Sequence, residues 1–115
     1  PFFLGNTLEN LESATKGERE EWEYLYKYGA RVAKEEGFDE ISKLFSGILE
    51  IEKRHSYRFE VLHDEIKNRS YFEKKEESQW HCRKCGHIEV GKKAPLACPV
   101  CGHSQGYFEI FCSKL

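Results

Sequence analysis

Two short cysteine repeats, Cys82-Arg-Lys-Cys85-Gly86 and Cys98-Pro-Val-Cys101-Gly102, stand twelve residues apart near the end of this 115-residue chain. Each Cys-x-x-Cys loop lets two thiolates reach one metal, and the glycine after it permits the turn that aims backbone N–H groups at sulfur. Two such loops build a tetrahedral four-thiolate site, which suits iron and zinc alike. The surrounding segment has little else to fold around. After Gln79 helical spacing stops and Cys, Gly and Pro dominate, so a module of about 37 residues needs a metal as its staple. The chain has five cysteines, and the odd one argues against a secreted disulfide framework and for a reducing compartment, here the cytoplasm. Cys112 is expected to be a small buried hydrophobe beside Phe108, Ile110 and Phe111. His81, His87 and His103 are expected to be exposed, because four cysteines already fill the site.

The chain before this module reads as helical, being rich in Glu, Lys, Leu and Tyr from Asn6 to Ile66. Asn6 with Glu9 three residues later has capping-box character, Gly37 is placed to end a first helix, and Asp39 to cap a second. Each helix would run for about 27 residues, roughly 40 Å at ~1.5 Å per residue, giving an antiparallel hairpin. Two helices cannot enclose a core, and a four-helix bundle solves that by adding another pair. The expected organisation is therefore a hairpin over residues 1–72, a solvated charged linker over 73–78 and the cysteine module over 79–115. Through Ser78, 13 Lys+Arg face 18 Asp+Glu for a net −5, while the remainder has 5 against 2 for a net +3. With a mean hydropathy of −0.71 and no apolar run near ~20 residues, no membrane span is expected. No leader peptide is legible, and a chain that starts at Pro1 without any Met is expected to be a trimmed product or fragment with partners on another chain.

Spacings of three and four trace an apolar stripe through Leu11, Ala14, Glu18, Glu21, Leu25, Tyr28 and Val32 in the first helix. A matching stripe in the second runs through Ile41, Phe45, Ile48, Glu52, His55, Phe59, Leu62 and Ile66. Polar groups interrupt both stripes at the same depth, about 17 residues before the turn and about 16 after it, so they should face one another. A carboxylate buried without a partner costs several kcal/mol, more than a surface ion pair returns. A bound cation compensates best, and Glu52-x-x-His55 has the ligand spacing of di-iron carboxylate bundles. The competing reading puts Glu18, Glu21 and His55 on a wet face against Arg19, Lys53 or Arg54; the coincidence of two interruptions at one depth favours the metal. Three Glu and one His are too few for two metals, so a second helix pair must complete the site.

These residues together resemble rubrerythrin, specifically its second half. Glu9-Asn10-Leu11, Gly17-Glu18-x-x-Glu21-Trp22, Glu35-Glu36-Gly37-Phe38, Glu52-x-x-His55 and the knuckles from Cys82 to Gly102 look like that family's later helix pair and C-terminal rubredoxin domain, over about residues 6 to 112. The resemblance implies a mainly α fold: an antiparallel hairpin that completes a ferritin-like four-helix bundle with another chain, plus a small rubredoxin-like module. It implies Glu18, Glu21, Glu52 and His55 as di-iron ligands, and Cys82, Cys85, Cys98 and Cys101 around a rubredoxin-type iron, with zinc as a substitute. It further implies a carboxylate in Glu21 that changes coordination with redox state, and a tyrosine near the di-iron site in Tyr26. The family's first helix pair is absent. A separate polypeptide from a split or cleaved precursor would restore it, as would a second copy, since two copies offer six Glu and two His; the partner is then a homo- or hetero-oligomer.

The function this implies is a non-haem di-iron peroxidase that reduces hydrogen peroxide to water. Electrons would come from a redox donor protein linked to NAD(P)H and pass through the four-cysteine iron. Rival readings are a ferroxidase or oxygen scavenger on the same di-iron site, and a zinc-ribbon adaptor with a dimerising hairpin. Against the adaptor, Arg83, Lys84, Lys92 and Lys93 give only weak phosphate attraction, with no stacking platform for nucleic acid.

Overall fold

The computed structural model describes residues 4–113, and the chain divides into two units, Pro1–Lys67 and Asn68–Leu115. The first is the expected hairpin. Helix α1 spans Thr7–Glu20, a π-helical turn spans Glu21–Leu25, α2 spans Tyr26–Glu35, and α3 returns over Asp39–Lys67. The Asn6 side chain accepts the Glu9 N–H at 2.9 Å, which caps α1. At the far end Gly37, with φ of 84°, takes the left-handed conformation, and the N–H groups of Gly37 and Phe38 return to the carbonyls of Lys34 and Ala33. The Phe38 carbonyl accepts the Ser42 N–H at 2.9 Å, so Asp39 is the first helical residue of α3 rather than its cap.

Two side chains tie the helices in register: Ser42 Oγ donates to the Ala30 carbonyl at 2.7 Å and Ser56 Oγ to the Thr15 carbonyl at 3.4 Å. Three residues on from Thr15 and three back from Ser56, Glu18 and Lys53 come level, with Glu52 beside them.

The π turn departs from the expected stripe. The Tyr26 N–H bonds to the Glu21 carbonyl five residues back, so one extra residue enters the helix and every later side chain is rotated by about a quarter turn. Trp22, Tyr26 and the buried Ala33 therefore continue the inward face, with Tyr26 against the Phe45 ring at 6.0 Å between centroids. Leu25 and Tyr28, expected in the seam, are 62% and 61% exposed. They form with Tyr24 an open apolar groove bordered by Glu21 and Arg31. On α3, Leu44 and Ile51 are exposed as well.

Backbone conformation makes two glycines respond oppositely to alanine. Gly37→Ala puts a Cβ on a positive-φ residue and should cost about 1 kcal/mol. Gly47→Ala, inside α3 with nothing within 4 Å of the added Cβ, should gain about 0.5–1 kcal/mol. Thermal unfolding followed by helical circular dichroism measures both.

The second unit is a three-stranded antiparallel sheet in the order β2-β1-β3, with β1 at Glu73–Cys82, β2 at Ile88–Lys93 and β3 at Phe108–Ile110 after a short 3-10 turn. Residues 73–78, expected as a linker, are the first half of β1. Glu73, Lys75, Glu76 and Glu77 stay exposed on the strand and Lys74 is half-buried, while the backbone pairs with β2 irregularly: from Glu73 to Ser78 β1 advances five residues while β2, from Lys93 to Gly91, advances two. The core is small, made of Trp80, Cys82, Ala94, Cys98 and Phe108 with Phe72 and Cys101 against it. Trp80 is wholly buried, and its indole N–H donates to the Gly91 carbonyl at 3.0 Å.

Candidate metal centres

Two of the five core residues of the small unit are cysteines, so the fold of this unit and its thiol cluster are one structure. The β1–β2 hairpin carries the first knuckle, and an isolated bridge between Ala97 and Ser104 carries the second. The two repeat each other. Cys82 N–H donates to His87 and Cys98 N–H to His103, both at 2.8 Å; Gly86 N–H returns to Cys82 and Gly102 N–H to Cys98, with φ of 89° and 77° at the glycines. This brings four sulfurs within 4.8 Å of one another, with Cys82–Cys101 and Cys85–Cys98 each at 3.7 Å. A tetrahedron with metal–sulfur bonds of ~2.3 Å has edges of about 3.8 Å, so the cluster has the dimensions of a four-thiolate site.

The electrostatics of the cluster favour a cation. Burial opposes ionisation of Cys98, but the N–H groups of Cys101 and Val100, with the Cys101 and Cys85 thiols, outweigh it and bring the thiol down to about 6. At Cys101 the N–H of His103 favours the thiolate, yet burial and the three other sulfurs together push it up to about 12. Four thiolates at these distances cannot coexist until a metal neutralises them. Cys82 and Cys98 are buried, whereas Cys85 is exposed, which leaves one edge of the site open to solvent. Cys112 is exposed too, not buried as expected: β3 ends at Ile110, beyond the sheet that would have covered it. The three flanking histidines are half-buried rather than exposed. His87 Nε2 lies 2.7 Å from Glu89, His81 Nδ1 lies 3.6 Å from Glu109, and His103 packs edge-on against Tyr107.

In the hairpin, Glu18, Glu52 and His55 bring one donor atom each to within 4.8 Å of the others. Glu52 and His55 sit one turn apart on α3, and Glu18 reaches them from α1 because the Ser56–Thr15 register places it there. His55 Nδ1 is 2.9 Å from Glu52 Oε2 and 3.6 Å from Glu18 Oε2. The Glu18 and Glu52 side chains are only 22% and 14% exposed, while His55 is 49% exposed. Hydrogen bonding with Glu52 is the main cause that raises the Glu18 carboxyl above its ordinary range, helped by burial; the same interaction lowers Glu52. Glu18 Oε2 is nonetheless buried with no hydrogen-bond partner. Two carboxylates and an imidazole gathered this closely are the donor set of a hard or borderline divalent cation. Three donors leave such an ion short of a full shell.

Glu21 stands outside this cluster, exposed at the first position of the π turn. Tyr26 is half-buried one turn further on. Two features escaped sequence reasoning. One is the π turn, whose only trace is the run Glu18, Trp22, Tyr26 and Ala30 in three successive steps of four. The other is Trp22, whose indole Nε1 is buried without a partner and whose ring lies 5.3 Å from Lys53 Nζ.

A four-thiolate metal module joined to a helical hairpin with a carboxylate–imidazole cluster defines a class, the non-haem metalloproteins with a ferritin-like helical part. The comparisons with known proteins narrow it. The rubrerythrin family model matches residues 4–80 and that of the rubrerythrin rubredoxin-like domain matches 80–109. A rubrerythrin of Porphyromonas gingivalis is 46% identical over 106 residues, 92% of this chain and 53% of that protein. Rubrerythrin-1 of Clostridium acetobutylicum is 46% identical over 110 residues, 96% of this chain and 56% of its own length. A solved structure of nigerythrin in a partially reduced state shares the fold, with a TM-score of 0.55 at 23% identity over 96% of this chain and 52% of that one. This chain belongs to the rubrerythrin family, with the family's rubredoxin-like domain in its later part. It spans about half the length of the curated relatives it matches. Among the described residues no helix is long and apolar enough to cross a membrane.

Proposed function

We propose that this chain supplies the later helix pair and the electron-carrying module of a rubrerythrin-type peroxidase, which reduces hydrogen peroxide to two waters with two electrons and two protons. The observation that carries the reading is the presence, in one chain, of a four-sulfur cluster of tetrahedral dimensions and a half-built carboxylate–imidazole cluster. A four-thiolate iron alone is a one-electron carrier; joined to a second metal centre it has somewhere to send its electrons. When bound, a pair of irons supplies two electrons to the O–O bond and charge stabilisation to the departing oxygen.

The chain's own residues hold and complete that centre. Glu18, Glu52 and His55 are the ligands from one side, and Glu21 joins them from the next turn. Tyr26, half-buried between α2 and Phe45, offers a phenol as proton donor near the site. Cys82, Cys85, Cys98 and Cys101 hold iron, with zinc as a non-functional substitute, and the open Cys85 edge admits electrons. A second helix pair covers Leu25, Tyr28, Leu44 and Ile51, whose exposure is what a bundle interior looks like with half removed. It comes from the rest of a longer polypeptide, from a separate chain or from a second copy. The helical hairpin, expected over residues 1–72 and ending at Lys67, is thus half of the di-iron bundle. The donor is a redox protein fed by NAD(P)H in the cytoplasm.

Metal analysis with a visible spectrum tests this. About three irons per complete site are expected, along with a red chromophore that bleaches on reduction. One zinc per chain without colour would support the adaptor instead. The reduced protein should reoxidise faster with peroxide than with oxygen; the reverse order would make it an oxygen scavenger or ferroxidase.

A further inference from the structure

A buried N–H without an acceptor and a buried carboxylate oxygen without a donor lie one helical turn apart in this hairpin. The first is the indole Nε1 of Trp22, the second is Oε2 of Glu18. Buried polar groups are almost always paired, so two orphans of opposite kind four residues apart in sequence call for a common explanation. Trp22 follows Glu18 by four residues. Side chains at that spacing share a helix face about 5–6 Å apart at Cβ, and an aromatic side chain on a helix leans toward the N-terminus, over the turn that carries the earlier residue. Trp22 is half-buried on that face. Its ring lies against α3 at Lys53, with Lys53 Nζ 5.3 Å from the centroid, next to Glu52 in sequence.

We propose that Trp22 is a positioning residue of the carboxylate–imidazole centre, its indole N–H donating to the Glu18 oxygen that a cation bound between Glu18, Glu52 and His55 leaves free. A carboxylate that gives one oxygen to a metal has a second acceptor to satisfy, and a hydrogen bond there sets its orientation. In this structure Glu18 faces Glu52 and His55 and leaves the indole unpaired. A rotation of the carboxylate about its own side-chain torsions pairs both orphans at once. The inference rests on the metal-centre reading above.

The test uses protein with 15N-labelled indoles in its assembled form. The chain has two tryptophans, and the Trp80 N–H, already bonded to Gly91, is the internal reference. Zinc, which is diamagnetic, is added until the thiolate site and then the hairpin centre are filled. The Trp22 N–H signal should move downfield and exchange more slowly in the second stage while that of Trp80 stays still. Trp22→Phe, which keeps a ring but removes the donor, should weaken zinc and ferrous iron binding at the hairpin about 10–100-fold and leave the thiolate site unaffected. An unmoved Trp22 signal in protein that has taken up its hairpin zinc, or native affinity in Trp22→Phe, overturns the role of Trp22 and leaves the metal centre standing. Failure of the native protein to hold metal at the hairpin overturns both.

Discussion

Cys98→Ala is expected to unfold the unit that begins at Asn68 while the helical hairpin keeps its circular dichroism. Among the described residues the buried core of that unit has five side chains, of which Cys82 and Cys98 are themselves members of the thiol cluster. A unit this small does not bury enough apolar surface to outweigh its chain entropy. Metal binding supplies the difference, with apparent values of about 10–16 kcal/mol for structural zinc in small domains. Removing one of four thiolates takes most of that away and leaves three sulfurs to hold the ion. The readout is the Trp80 indole N–H, which should exchange with solvent at open-chain rates once its bond to Gly91 is lost. Cys112→Ala is the control: Cys112 is exposed and outside the cluster, so the same signal should stay protected. A Trp80 N–H that remains protected in metal-free Cys98→Ala protein would show that the sheet stands without its staple.

Glu52→Ala is expected to empty the hairpin centre and spare the other. Glu52 is the donor that meets both remaining groups, touching His55 at 2.9 Å and exchanging influence with Glu18. Its loss leaves one carboxylate and a half-exposed imidazole. Loss of an outer-shell partner costs metal affinity about 10–100-fold, so loss of a ligand should cost more than about 100-fold. Iron content should fall by the share held in the helical part, and the visible colour of the thiolate-bound iron should persist. Helical stability should change little, because alanine is the strongest helix former and the variant relieves the crowding of two carboxylates. Retention of the full iron complement would mean that Glu18, Glu52 and His55 are a hydrogen-bonded surface cluster and nothing more.

Features of local chemistry could be read from the chain directly. The Asn6 cap, the Gly37 terminus and the two Cys-x-x-Cys-Gly knuckles each depend on a handful of consecutive residues, and each is found where its residues predict it. The depth of Glu18 against Glu52 and His55 was also legible, because it follows from counting residues out from a single tight turn. The expected linker failed for a physical reason: Lys74, Lys75, Glu76 and Glu77 are as compatible with a strand solvated on both faces as with no strand. Composition does not see a backbone ladder. Cys112 departs from expectation because an apolar neighbourhood in sequence is not one in space.

Helical phase is where sequence and structure part. Periodicity treats each residue as another 100° of rotation, so Leu11 through Val32 seemed to make one continuous stripe. A single i−5 hydrogen bond at Tyr26 breaks the count. The composition of the chain and its short-range spacings thus dictate which groups exist, roughly how far along each helix they lie, and that four thiols come in two knuckles with the spacing of metal ligands. Packing of α1 and α2 against α3 decides that Trp22 and Tyr26 turn inward while Glu21, Leu25 and Tyr28 turn outward. Rotation about a helix axis costs little locally, and only contacts with another element choose among its settings.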